Sequence, residues 1–171
     1  MNPSNSDRLA EAIRRLHHAE TSHLSILPRM ALSSANEDLA DAFAELADET
    51  RIHITRLEEA ARVLNIDPAG GRCRALADFV GEIEEFLELR GRGAVRDLGL
   101  ITAGQRIAMF QIAAYGAAEE VAEKLGAAEI VDVLAGSAGD EAAAERLLSA
   151  ISVRICRENI GLGAPAYSRS A

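Results

Sequence analysis

The sequence predicts an all-α protein folded as one antiparallel helical bundle. Three observations carry that expectation. Apolar residues recur at helical spacing in five successive segments. Ala and Leu abound, whereas the Val, Ile, Thr and aromatic runs that mark strands are missing, and there is no Trp. Most of the connecting stretches are short and rich in Gly, Ser, Pro and Asn, which makes sequential helices antiparallel neighbours. At 171 residues, without a shift in composition, the chain suits a single core. Residues 1–5 read as an N-terminal tail, 6–157 as the bundle, and 158–171, rich in Gly, Ser and Pro, as a flexible C-terminal tail.

The first helix is expected over 6–33, capped by Ser4 or Ser6, with Leu9, Ile13, Leu16, Leu24 and Leu27 on one stripe. Glu20 and His23 fall on the same stripe, and Pro28 should kink or end the helix about a turn later. Ser34-Ala35-Asn36-Glu37 reads as a capping box that opens a second helix over 35–64. Its inward stripe is Leu39, Phe43, Leu46, Glu49 or Thr50, His53, Leu57 and Leu64. It stops at Asn65, before the turn cluster Asp67 to Gly71.

A shorter amphipathic helix is expected over 72–90, with Leu76, Phe79, Val80, Ile83, Phe86 and Leu87 against Asp78, Glu82, Glu85 and Glu88. Gly91 and Gly93 break it. The fourth helix, 95–125, contains Ile101 to Ala118, in which only Arg106 is charged. Apolar residues wrap most of its circumference, so it is expected to be central and enclosed by the others. Gly126 stops it. The last helix, 127–157, turns Leu134, Leu148, Ile151 and Ile155 inward, with a soft spot expected at Gly136 and Gly139.

A net charge of −9 leaves no basic stripe for nucleic acid and is repelled by an anionic membrane surface. The N-terminus lacks an apolar signal core, and Arg106 and two glutamines interrupt the longest apolar run, so neither secretion nor membrane spanning is expected. Cys73 and Cys156 fit neither a disulfide framework nor a zinc signature, and a reducing cytoplasm is their simplest setting.

Three segments together resemble the YciE/YciF-type ferritin-like family of bacterial proteins: LHHAETSHLSILPRMA (16–31), LADETRIHITRLEEAARVLN (46–65) and VRDLGLITAGQRIAMFQIAAYG (95–116). GRCRALADFVGE (71–82) is a weaker fourth match. The resemblance implies a ferritin-like antiparallel four-helix bundle with an additional shorter helix, commonly paired as a homodimer. It also implies carboxylate-rich metal positions at the bundle centre and an association with bacterial stress. Glu20 and Glu49 match family acidic positions, and His53 stands where the family usually has Gln. Asp140 or Glu141 is the candidate for an acidic pair on the last helix. Where the family typically has Glu, His and Glu, this chain has Ala108, Met109 and Gln111, and Leu46 replaces a His.

A two-metal carboxylate centre needs about four carboxylates and two imidazoles, because hard or borderline cations want oxygen and nitrogen donors that also balance their charge. The candidate metal residues are Glu20, Glu49, His53, Asp140 and Glu141, with iron or manganese the metal if any is bound. Glu20-x-x-His23 and Glu49 with His53 each place two ligand-type groups on one helical face. Against this stands a structural reading, in which Glu20 and Glu49 are buried carboxylates bonded to His, Thr50 or Gln111, Tyr115 is a packed core residue, and His17 and His18 lie at the boundary. The favoured function is a non-catalytic structural or stress-associated binding protein with a decayed dimetal site, without catalytic residues and with no cofactor expected, so that it would carry well under one metal per chain. The alternative is a metal-binding oxidase, peroxidase or iron-handling protein with a reduced site. No nucleophile with its base and no phosphate-binding loop is present in the sequence.

Overall fold

The computed structural model describes residues 4–89 and 91–160. It contains five helices: α1 (Asn5–Ser33), α2 (Glu37–Val63), α3 (Arg74–Glu88), α4 (Ala94–Lys124) and α5 (Ala128–Ile160). Among the described residues there is no strand, as the sequence led us to expect. The last helix runs three residues past its expected end, and the remainder of the expected tail, 161–171, lies outside the described residues.

Local chemistry explains most of the boundaries. Ser4 and Asp7 form a reciprocal capping box at the start of α1. Pro28 is accommodated inside α1 on an exposed face, and the helix ends at Ser33, about a turn later. α2 stops with Asn65 in the left-handed region (φ 53°), which lets the Ile66 amide donate to the Ala61 carbonyl at 3.0 Å. Gly126 (φ 68°) does the same for α4, and the Ala127 amide donates to Ala122.

The capping box expected at Ser34 is not formed. Asn36 caps α2, accepting from the Leu39 amide at 3.0 Å, while the Ser34 hydroxyl donates back to the Met30 carbonyl. The Ala35 and Asn36 amides are taken instead by Asp97, a buried carboxylate on α4, at 2.8 and 3.0 Å. A charged acceptor from a distant helix has displaced the local cap.

These two bonds also fix the topology. They seat the start of α4 beside the α1–α2 turn, so the 64–93 connection, α3 included, must return the full length of the bundle. The pairs α1/α2, α4/α5, α1/α4 and α2/α5 are therefore adjacent and antiparallel, and α3 lies over the seam between α1 and α4. The interior divides into two apolar clusters. One, around Ile26, Met30, Phe43, Leu76, Leu100 and Leu148, lies at the α1–α2 turn; the other, around Leu9, Ile13, Leu57, Tyr115, Ile130 and Leu134, lies at the α4–α5 turn.

One expectation fails here. α4 is not enclosed. It occupies one corner like the other long helices and buries a single stripe from Asp97 to Ala122, while Met109 is 65% exposed and Ala113 and Ala117 face solvent. Small residues made its outer face look like a core face in sequence. The soft spot expected in α5 leaves no break in the helix. Gly136 and Gly139 are exposed and the helix continues through both.

Candidate metal centre

Between the two apolar clusters lies a layer of buried polar side chains drawn from all four long helices: Glu20 and His23 of α1, Thr50 and His53 of α2, Gln111 of α4, and Ser137 and Glu141 of α5. Tyr115 of α4 closes it on one side. Each residue sits on its helix's inward stripe at three- or four-residue spacing, so the layer follows directly from where the sequence places polar groups on apolar faces.

His53 is the hub. Its Nδ1 lies 3.3 Å from Glu20 Oε1 and 3.4 Å from Glu141 Oε1, and its Nε2 lies 3.3 Å from Asp140 Oδ2. The Nδ1 contacts are ion-pair distances set off the hydrogen-bonding direction. Burial disfavours the imidazolium, but Glu141 and Glu20 more than offset it, and the ring's pKa is raised to about 10. At neutral pH His53 is therefore a cation held between two buried carboxylates. Asp140, half exposed at the rim, accepts from Arg56 Nη1 at 2.7 Å, and Arg56 and His53 hold its carboxyl below the usual range despite burial.

Tyr115 donates to Glu20 Oε1 at 2.5 Å, and burial, then the Glu20 charge, pushes its phenol well above 10. Burial raises Glu141 to about 7 and lowers His23 to about 4, so His23 is neutral at pH 7 with a lone pair to offer. Gln111 is fully buried close to His23.

The carboxylates are used asymmetrically. Oε1 of both Glu20 and Glu141 faces His53, and Tyr115 also binds that of Glu20, whereas Oε2 of each has no partner. Both nitrogens of His23 and both polar atoms of Gln111 are likewise buried and unpartnered. Glu20, His23 and Glu141 each present a ligand atom, all within 4.8 Å of one another. Metal–ligand bonds of roughly 2.0–2.2 Å require ligand atoms about 3–4 Å apart, so modest rotation of these side chains closes the set. A neutral imidazole and two carboxylates, whose other oxygens face His53 and, for Glu20, Tyr115, form a donor set of the type that fits one divalent cation. The Gln111 amide, buried and unpartnered beside His23, offers an oxygen of the same hard type close to the set.

The sequence-derived candidates separate in the structure. Glu20, His53 and Glu141 converge in the layer, and Asp140 stands at its outer edge. Glu49 is exposed, on the solvent side of the layer near Asp140, and burial followed by the Asp140 charge raises its pKa. Thr50, not Glu49, takes the inward position, and its hydroxyl bonds the Leu46 carbonyl. The alternation 46, 50, 53, 57 carried that signal in the sequence. Ala108 is buried, but Met109 points outward and lines nothing in the layer. His23 was visible in the Glu-x-x-His spacing yet absent from the candidate ligands. His17 and His18 sit at the boundary, where His17 lies 3.6 Å from Glu58 and His18 Nδ1 accepts from the Cys73 amide.

Comparisons with known proteins agree with this frame. The family described as Domain of unknown function (DUF892) matches residues 4–160. Protein YciF of Escherichia coli K12 is 28% identical over 138 residues, covering 80% of this chain and 83% of YciF. The crystal structure of the E. coli stress protein YciF superposes with a TM-score of 0.87 at 25% identity, covering 91% of this chain and 99% of that one. YcfI of Rhodopseudomonas palustris, provisionally described as a structural protein, superposes with a TM-score of 0.81 at 28% identity, covering 86% and 94%. The chain thus belongs to the DUF892 family and is a ferritin-like bundle of the YciF type.

Proposed function

We propose that this protein is a stress-associated, non-catalytic binding protein of the YciF type whose two-metal centre is reduced to a site for one divalent cation, iron or manganese. The observation that carries the reading is the set of buried, unpartnered ligand atoms on Glu20, His23 and Glu141. Burial without partners costs roughly 1–3 kcal/mol per group, and a cation would relieve several such groups at once. The reduction is read from His53. A raised pKa holds it as an imidazolium on the far oxygens of both carboxylates, so a positive charge already occupies the neighbourhood a second ion would need. The stress association is supported by the likeness to E. coli YciF and the non-catalytic role by the likeness to YcfI. Among the described residues, no helix is long and apolar enough to cross a membrane, in keeping with a cytoplasmic setting.

Elemental analysis after growth in iron- and manganese-supplemented medium tests the proposal. One ion per chain is expected in wild type and in Glu49→Ala, and loss of the ion in Glu141→Gln and His23→Ala. Wild-type protein that holds no metal after reconstitution, or that holds two ions, would overturn it.

A further inference from the structure

The seam between α1 and α4 is filled unevenly. α3 covers the half nearest the α1–α2 turn, where Phe79 packs edge-on to Phe110 at 6.0 Å. Beyond Cys73 and Phe110 the seam stays open as an apolar groove of about 370 Å³, a volume suited to a small ligand. It is open because both helices present alanine there, Ala12 and Ala19 on α1 and Ala114 and Ala118 on α4, with Leu16 between them. The α4 wall from Phe110 to Ala118 is ~12 Å long and carries no charged residue.

Charge collects at the margin instead, and it is positive. Arg15 lines the groove itself, Arg8 shares the adjoining cleft with it, and Arg72 and Arg74 stand on either side of Cys73. All four are exposed and, among the described residues, without an ion-pair partner. α3 begins there with no acidic residue in its first turn and no side-chain cap, so the positive end of its dipole adds to their charge. Asp7, in the cleft of Arg8, is already engaged by the Ser4 cap, which leaves Glu11 as the acidic group on that side. In a chain of net charge −9, an apolar groove edged by four unpaired arginines departs from the general character of the surface.

We propose that this groove binds a free medium-chain fatty acid, with its alkyl chain along α4 and its carboxylate on Arg15. A saturated chain of about ten carbons matches the ~12 Å wall, at ~1.3 Å per bond. Its methylenes leave water against Leu16, Ala114 and Ala118, which supplies the affinity. The guanidinium fork of Arg15 takes both carboxylate oxygens, and Arg8, Arg72 and Arg74 disfavour a cationic head group. Cys73 and Phe110 close one end, so a docked helix could not follow the seam further, whereas an alkyl chain lies within it. The groove shares no residue with the buried polar layer, so this inference stands apart from the metal proposal.

Titration calorimetry of the full chain with decanoate, kept below its micelle concentration, tests the assignment. Wild type should take up one decanoate per chain. Arg15→Glu should weaken binding about tenfold or more by setting like charge against the carboxylate. Ala117→Trp, which fills the groove from an exposed position, should abolish it. Decyltrimethylammonium, with the same chain and the opposite head group, should not compete. Both substitutions are at exposed residues, and circular dichroism confirms that each variant keeps its helices. A wild type without saturable uptake, whether the groove is empty or covered by another chain, would overturn the proposal. So would equal affinity for the ammonium, or undiminished binding in either variant.

Discussion

Replacing His53 by Gln should lower the stability of the metal-free protein near neutral pH and change the alkaline limb of its pH profile. His53 has its pKa raised from 6.5 to about 10 by two buried carboxylates. A histidine with a raised native pKa contributes stability that is fully present below pH 6.5 and is lost as pH rises through about 10. At ~1.4 kcal/mol per unit, a shift of this size makes the chelator-treated wild type lose about 4 kcal/mol between pH 6.5 and 9.5. Glu141, raised to about 7, loses stability as pH climbs from 4.5 to 7. His23, lowered to about 4, gains it from 4 to 6.5. These two nearly cancel below pH 6.5, so the slope above that point belongs mainly to His53. Urea unfolding across the range should show wild type falling steeply above pH 7, and His53→Gln already less stable near neutral pH, with its remaining alkaline loss carried by Glu141, whose carboxyl the imidazolium no longer holds down. A His53 ring that titrates near pH 6.5 in the folded, metal-free wild type, followed by NMR, would refute the claim that an imidazolium bridges Glu20 and Glu141.

Two further outcomes are expected from the scaffold. Asp97→Ala strips the Ala35 and Asn36 amides of their acceptor and should cost ~2–4 kcal/mol in chemical denaturation, a loss Asp97→Asn recovers only in part. Gly139→Ala meets nothing within 4 Å and sits in mid-helix, so it should raise stability by ~1 kcal/mol, seen as a higher melting temperature; a drop would show that position 139 is in close contact in the working protein.

The helices were legible because each apolar stripe has one period and the chain punctuates it with Ser4, Asn65, Gly93 and Gly126. What escaped the sequence was rotation and distance. Glu49 and Thr50 differ by one residue, a turn of about 100° about the helix axis, and only the packed bundle decides which faces inward. Met109 stands at an apolar position in an apolar helix, and nothing local says its side chain points to water. Asp97 could not be seen as a cap because it acts across 61 and 62 residues of sequence. Glu20 and Glu141 meet across the bundle diagonal, so their convergence on His53 depends on topology that period alone does not encode.

The buried polar layer also fixes the axial register of the four helices. The apolar clusters above and below it are built from Ala, Leu and Ile at nearly interchangeable spacings, and a helix slipped by one turn, about 5.4 Å, could repack them with little loss. The same slip on α5 would carry Glu141 away from His53 and strand its carboxyl among apolar side chains, at several kcal/mol. Mismatched alignments are thereby excluded during folding by groups that contribute little net cohesion to the correct one.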